Sequence, residues 1–297
     1  MSVTPLTPAT LTRETLANAK RVALPTLPGL FLFAVAMGAQ SWFNRLAGEG
    51  SSMMLLWMCV SLVTVFVGCF WSADMYRKLM PEAGKPNLFV DAGRLFLANL
   101  AVYGLFFIVG FLLTLFFSIF AGILIGTSGF DPSEGEADGE AVWQSIEALS
   151  NSGGAVVLYL LLFIAAASLV WLGLRLFLYG AATIGENRVT IFRSWAWTAG
   201  HVSRIALVWV LLQLLPWILL TLVASGVLHL AGVDTVFSFV TAGQADAASG
   251  TSPLVGAALN GVATLVLAPF YWLGHGLAVA LFHRLAPNRV DADTTFG

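Results

Sequence analysis

The sequence predicts an all-α fold: a polytopic membrane helical bundle in which a single integral membrane domain covers residues 1–297. Of the 297 residues, 58% are hydrophobic and 10% are charged, and the mean hydropathy is +0.86. A soluble domain carries about 25% charged residues, so this chain cannot cover a water-facing surface. Its apolar residues also form continuous runs, unlike the alternating pattern of membrane β-strands. The bilayer therefore has to act as the solvent for most of the chain.

Six apolar runs approach or exceed the ~20 residues that a membrane-spanning helix needs. They cover residues 28–44, 53–72, 95–126, 155–184, 205–230 and 253–283. The second run, Met53–Ser72, contains no charged residue. Pro216 in the fifth run and Pro269 in the sixth predict kinks, because proline lacks the N–H that continues a helix. Glycines such as Gly104 in the third run are expected to allow close helix packing, as are Gly110, Gly122 and Gly126.

The segment before the first run, residues 1–27, is predicted to be a cytoplasmic entry segment. It contains Arg13, Lys20 and Arg21 but no apolar signal-peptide core. The first run is therefore expected to stay in the membrane as a span.

Lysine and arginine are distributed unequally between the connecting segments. With the N-terminus inside, the inner segments hold twelve basic residues and the outer segments hold only Arg45. The outer loop at 127–153 carries six carboxylates and no basic residue, and the sequence leaves open whether it binds cations. Because basic segments stay in the cytoplasm, both termini are predicted to be cytoplasmic, in a bacterial inner membrane.

Two stretches of the chain share the same order of elements. In each, a run that crosses inward is followed by a basic linker and by a run that returns. The linkers are Asp74–Arg94 and Gly185–Arg204. This order is consistent with a parallel repeat of helix–linker–helix units, and also with the ordinary linkers of a polytopic protein.

The second linker and its surroundings carry a recognisable pattern. An arginine in a membrane helix precedes small residues, an acidic or glycine turn, a Ser-Trp pair, a Thr-x-Gly step and a new apolar helix. The positions are Arg175, Ala181, Ala182, Gly185, Glu186, Ser194, Trp195, Thr198 and Gly200. With Met75–Pro86 and Leu11–Gly29, this pattern resembles a poorly characterised family of bacterial multi-pass proteins related to the membrane domain of glycerophosphoryl diester phosphodiesterases. The phosphodiesterase chemistry belongs to a separate soluble domain, which this sequence is expected to lack.

Two polar residues inside the runs are candidates for a lipid, solute or structural polar site. Arg175 lies about nine residues, or ~13 Å, before the inner end of its run, and His275 lies at a similar depth. Charged groups at such depth face the bundle or a wet cavity, or they snorkel to the headgroups. Candidate partners of Arg175 are the carboxylates Asp74 and Glu186, or a lipid phosphate held with help from Arg193 and Arg204. For His275, a structural hydrogen bond to a neighbouring helix is the alternative to a proton relay or a headgroup contact.

The linker between the fourth and fifth runs predicts an amphipathic helix that lies in the membrane interface. At 100° per residue one narrow face is polar, and the tryptophan of the opposite face anchors the helix. The residues concerned are Asn187, Thr190, Ser194, Trp195, Thr198 and His201. The alternative is that the small hydroxyls hydrogen-bond other helices or a lipid headgroup.

No catalytic motif, cofactor fingerprint or metal-ligand spacing is found in the sequence, and there is no basic surplus for nucleic acid. We therefore expect no cofactor, no metal and no enzymatic activity. The predicted function is that of a non-enzymatic accessory or scaffold linked to envelope or lipid homeostasis. The alternative is a small-solute or lipid transporter or channel, with a membrane-embedded lipid enzyme ranked third. Expected partners are membrane lipids, with a membrane protein or a second copy of the chain also open.

Overall fold

The computed structural model describes residues 7–47, 51–83, 87–127, 153–230 and 252–286, together with residue 150. Throughout these residues the regular structure is helical and contains no β-strand, which confirms the all-α fold. Five helices are long and apolar enough to cross a membrane. A sixth crossing results if the pair Pro253–Val266 and Ala268–Leu285 counts as one bent span. The chain is a multi-pass membrane protein by these criteria.

Eleven α-helices are described, and we number them in chain order. They are α1 (Pro8–Ala23), α2 (Leu27–Ala47), α3 (Ser51–Leu79), α4 (Leu88–Thr127), α5 (Gly154–Leu176), α6 (Tyr179–Gly185), α7 (Arg193–Trp197), α8 (Val202–Trp209), α9 (Leu215–Leu230), α10 (Pro253–Val266) and α11 (Ala268–Leu285). A 3₁₀ turn, Leu24–Thr26, joins α1 to α2. A π-helical turn, Val210–Leu214, joins α8 to α9.

The predicted kink at Pro269 is confirmed, and a π-helical turn precedes Pro216. Pro269 is in the first turn of α11, and the chain bends by 41° between α10 and α11. Pro216 lies in the first turn of α9, directly after the π-helical turn. In each case the missing proline N–H interrupts the regular hydrogen-bond ladder at the preceding turn.

Contacts divide the chain into a larger unit, Met1–Asn99 with Leu176–Gly297, and a smaller unit, Leu100–Arg175. The single-domain organisation stays a prediction. The acidic loop at 127–153 lies almost wholly outside the described residues.

In the larger unit, the first helices of the chain lie antiparallel to the last. Helix α2 packs against α3 and α10, and α1 packs against α11. Three hydrogen bonds set the register: Asn18 Nδ2 to Gly276 O (3.0 Å), Trp272 Nε1 to Thr26 Oγ1 (3.2 Å) and Asn260 Nδ2 to Ser41 Oγ (2.8 Å). Residue numbers rise along α1–α2 while they fall along α10–α11, so the two helical segments form one long antiparallel pair.

Small residues let the helices of this pair approach each other closely. A β-carbon on Gly276 would lie 2.8 Å from the Thr15 carbonyl oxygen, and one on Gly38 would lie 2.9 Å from the Ala257 carbonyl oxygen. The packing role expected of Gly104 is wrong among the described residues, because outside its own stretch of helix no described atom lies within 4 Å of its β-carbon position. The same holds for Gly110, Gly122 and Gly126. Close packing is thus a property of the larger unit's glycines.

The smaller unit consists of most of α4 and nearly all of α5. The most apolar stretch of α4 contains no buried residue, and Phe107 of α4 and Phe163 of α5 are largely exposed. Within this unit, a β-carbon on Gly173 would be in ordinary contact with Phe106, at 3.6 Å. An apolar surface of this kind is suited to lipid rather than to water.

Candidate functional site

The charged residues of the larger unit collect at one end of the helices, which we call the basic end. It contains the start of α1, the end of α3, the start of α4, the α6–α8 linker and the end of α11. Contacts between distant segments define it: the guanidinium of Arg284 pairs with Glu14, and His283 Nε2 lies 2.9 Å from Glu82 Oε1. Asn187 Nδ2 donates to the Ala83 carbonyl at 2.6 Å.

Asp91, at the start of α4, is the most deeply buried carboxylate described at the basic end. Its side chain is 1% exposed and accepts a hydrogen bond from Arg94 Nη1 at 3.1 Å. Arg77 Nε of α3 lies 3.9 Å from its other oxygen. The sequence reasoning missed this residue. The signal was a lone carboxylate in a first helical turn, where the helix dipole favours negative charge, with basic residues on both sides.

Asp74 and Glu186, the carboxylates proposed as partners of Arg175, both pair with other basic residues. Asp74 Oδ2 lies 2.5 Å from Lys78 Nζ one turn later on α3. Lys78 also donates to the Pro25 carbonyl at 2.8 Å, which ties α3 to the 3₁₀ turn.

Glu186 follows the last residue of α6 and organises the linker after it. Its two carboxylate oxygens accept hydrogen bonds from Arg188 at 2.8 and 2.9 Å and from Arg193 at 2.6 Å. Partial burial alone would raise the pKa of this carboxyl, but the hydrogen bonds and charges of the two guanidinium groups outweigh it and lower the pKa below its usual value. Glu186 is therefore a fixed anion, and Arg193 is one of the two residues that hold it.

This geometry gives a pH-dependent contribution to stability. A carboxyl whose pKa is lower in the folded state stabilises the fold above its unfolded pKa, about 4.3 for glutamate, and loses that contribution as the pH falls through the folded pKa. We expect Glu186→Gln to lower the free energy of unfolding by about 1 kcal/mol at neutral pH, since both arginines are more than half exposed. The difference from the natural chain should shrink below about pH 4. Detergent-based unfolding at several pH values checks this; a difference that grows on acidification would contradict it.

The predicted interfacial linker helix is wrong as a continuous helix. Asn187 adopts a left-handed backbone with φ of 54°, and Gly200 has φ of 75°. Between them only α7, a single helical turn that includes Trp195, is regular. Residues in the left-handed region interrupt a right-handed helix, so the 100° spacing that placed six residues on one helix does not apply. His201 occupies the N-cap position of α8 without a side-chain capping hydrogen bond and is half-buried.

The small hydroxyls of this linker face the protein, as the alternative interpretation held. Ser194 Oγ accepts from the Leu178 N–H at 3.1 Å, and the hydroxyl of Thr183 in α6 accepts from the Thr190 N–H at 3.2 Å. The side chain of Thr198 donates to the Ser194 carbonyl at 2.8 Å. Thr190, Ser194 and Thr198 are all buried. These hydrogen bonds fix the linker against α6.

The other candidate polar residues have local contacts. In the smaller unit, the Arg175 guanidinium lies over the Trp171 ring one turn earlier, 5.8 Å from its centroid, a distance at which a cation interacts with an aromatic face.

In the larger unit, His275 Nδ1 lies 2.7 Å from the Tyr271 carbonyl of its own helix, and its ring packs 4.7 Å from that of Tyr76. The expected bond of His275 to a neighbouring helix is thus replaced by one within α11. Arg204 is exposed on α8.

Polar side chains inside the spans of the larger unit bond to one another or to the backbone. The bonds are Gln40 Nε2 to Ser61 Oγ (3.2 Å), Thr64 Oγ1 to Ala36 O (3.2 Å), Gln213 Nε2 to Phe270 O (3.4 Å) and Asn99 Nδ2 to Cys69 Sγ (2.9 Å). The Tyr179 hydroxyl donates to Asn99 Oδ1. Such bonds hold helices together in a bilayer. Among the described residues, no group of three His, Cys, Asp or Glu side chains is placed to hold a metal ion.

The fold defines an α-helical multi-pass membrane protein, and at its basic end the described carboxylates pair with basic residues. The chain matches no known protein family, no curated protein and no solved structure.

Proposed function

We propose that this chain is a bacterial inner-membrane protein that acts as a non-enzymatic accessory or scaffold in lipid or envelope homeostasis. The observation that carries the proposal is the pairing of polar groups inside the spans. Gln40, Asn260 and Gln213 each donate to another helix or to its backbone. Groups used in this way stabilise helix packing, which supports a structural role for the polar residues of these spans.

The proposed orientation places the basic end in the cytoplasm. Arg77, Arg94 and Arg284 come from three helices and lie together at that end, as expected where lysine and arginine are retained on the cytoplasmic side. Arg45 lies at the opposite end of α2. The resemblance of Arg175–Ile205 to a family related to the membrane domain of glycerophosphoryl diester phosphodiesterases supports a proposed connection with lipids.

A transporter or channel is the second candidate, and the bent pair α10–α11 is the observation that favours it. Broken helices frequently line the substrate sites of secondary transporters. Here the break is closed by local hydrogen bonds, from the Leu267 N–H to the Ala263 carbonyl at 2.9 Å and from the Phe270 N–H to the Leu267 carbonyl at 3.0 Å. Those bonds leave fewer backbone groups for a solute.

Reporter fusions test the orientation. Fusions after Lys85, Arg193 and Arg289 are expected to report a cytoplasmic position, and fusions at Glu136 and Ala245 an external one, because each pair of consecutive segments is separated by one span. An external signal at Arg193 would exclude the six-span orientation.

Flux into proteoliposomes separates the two candidate functions. We expect vesicles that contain the protein to take up small polar solutes and ions no faster than protein-free vesicles of the same lipid. A saturable flux that is lost when Pro269 is replaced by alanine would contradict the accessory function and favour transport through the break between α10 and α11.

A further inference from the structure

A groove of about 680 Å³ runs along the outer face of α1 in the larger unit. Its lining includes Thr12, Arg13, Leu16 and Lys20 of α1 and Leu211 of the π-helical turn. Helix α8 packs against α1, so the groove follows the line where α1 meets the segment after α8. A groove of this size accommodates a small-molecule ligand.

Two basic side chains of the groove differ in their contacts from most other basic side chains at the basic end. Arg13 and Lys20 are exposed and form no ion pair or hydrogen bond within the described part of the chain. By contrast, Arg77, Lys78 and Arg94 each face a carboxylate. The groove thus carries two positive charges that no carboxylate of the described segments neutralises.

The spacing of the two cations suits a single anionic group. Arg13 and Lys20 are seven residues apart, about two helical turns or ~10 Å along the axis and on the same side of the helix. Their long side chains can converge on an anion placed between them, and a guanidinium binds phosphate through two parallel hydrogen bonds.

The remaining wall of the groove is apolar and open. Leu16 is 43% exposed and Leu211 is 46% exposed, and Ala17 lies between the two cations on α1. A free phosphate or a nucleotide would leave these leucines uncovered. A ligand that joins a phosphate to a hydrocarbon chain would use both parts of the groove.

We propose that this groove binds an anionic phospholipid of the inner leaflet, with its phosphate held by Arg13 and Lys20 and an acyl chain packed against Leu16 and Leu211. The assignment rests on the proposed function, because it requires the basic end to face the cytoplasmic leaflet. It adds the lipid class and the binding residues, which lie on α1 and not at Arg175 or Arg193.

The test is a lipid titration of the purified full chain by native mass spectrometry. The probes are phosphatidylglycerol and phosphatidylcholine with identical acyl chains. We expect the natural chain to prefer phosphatidylglycerol. The double variant Arg13→Gln with Lys20→Gln should bind it about 25-fold more weakly, about fivefold for each cation near an anionic headgroup. Binding of phosphatidylcholine should be unchanged.

Arg21→Gln is the matched control, since Arg21 is exposed and unpaired on the same helix but outside the groove lining. It should retain the affinity of the natural chain for phosphatidylglycerol within twofold. An equal loss in Arg21→Gln would show that only the general positive charge of α1 matters, and would overturn the assignment. Arg13→Lys keeps the charge and should bind phosphatidylglycerol more tightly than the double variant does. It serves as a second variant if the double variant does not fold.

Two further arms distinguish a lipid from a free anion. Leu16→Asn should weaken phosphatidylglycerol binding severalfold through loss of the acyl contact; unchanged affinity would overturn the lipid assignment. Inorganic phosphate at millimolar concentration should not displace the lipid, and displacement would also overturn it. Equal binding of both lipids by the natural chain would count against the lipid-linked function as well. If the double variant still prefers phosphatidylglycerol, the assignment of the lipid to this groove is wrong, while the proposed function stands.

Discussion

Replacement of Gly276 by valine is expected to lower the free energy of unfolding of the larger unit by about 3 kcal/mol. Small-to-large changes in a packed interface cost about 1–3 kcal/mol, and here the obstacle is rigid. The new β-carbon would lie 2.8 Å from the Thr15 carbonyl oxygen and 3.3 Å from the Ala19 nitrogen, which are both backbone atoms of α1. Separation of α1 from α11 would also lengthen the Asn18 to Gly276 hydrogen bond, worth about 1 kcal/mol.

Gly104→Val is the matched control for this substitution. Gly104 is also helical, but no described atom lies within 4 Å of its β-carbon position. Because valine forms helix more readily than glycine by a few tenths of a kcal/mol, its stability should be unchanged or slightly higher. Unfolding in mixed detergent micelles measures both variants. Equal losses would show that the close approach of α1 and α11 does not govern stability.

Replacement of Asp91 by asparagine is expected to cost about 3 kcal/mol of unfolding free energy. Removal of one partner of a buried ion pair costs about 3–5 kcal/mol, because the remaining charge is left uncompensated. The lower part of that range applies here, since Arg77 and Arg94 are 29% and 27% exposed and water can solvate them in part. The variant would leave these two cations facing each other across an uncharged amide.

Asp74→Asn is the control, because Asp74 is 26% exposed and pairs with Lys78 alone. We expect it to cost no more than about 1 kcal/mol, as exposed ion pairs do. A double variant of Asp91→Asn with Arg94→Gln should recover part of the loss, since it removes one of the two opposed cations. If Asp91→Asn and Asp74→Asn were equally mild, burial would not be what makes Asp91 important.

The fold class was predictable because it depends on composition and run length. A chain with 10% charged residues cannot form a soluble surface, and continuous apolar runs of about 20 residues have only helical solutions in a bilayer. The bend at Pro269 was predictable for a similar reason, since the missing N–H acts within its own helix. These properties are local and need no knowledge of neighbours.

Helix pairing and the site needed more than the sequence offered. The spans are apolar on all sides, so no face indicates which neighbour it meets, and Gly104 could not be told from Gly276 by pattern alone. The prediction of a continuous linker helix was wrong for a local reason. It ran across Asn187 and Gly200, although asparagine and glycine are the residues most often found in the left-handed region. Arg13 and Lys20 contributed to the topology prediction, but whether they pair with the carboxylates of the described segments could be known only from the structure.

The pairing of the first helices with the last has a consequence for how the protein is synthesised. Asn18 and Gly276 are 258 positions apart, so α1 leaves the ribosome long before the helix that receives it. At about 5–20 residues per second, this interval lasts roughly 10–50 s. Throughout that time the face of α1 that carries Thr15 and Asn18 has no partner in its own chain. The larger unit can therefore be completed only after α11 has been synthesised, and a chain truncated before α11 keeps an unmatched first helix that quality-control proteases can recognise.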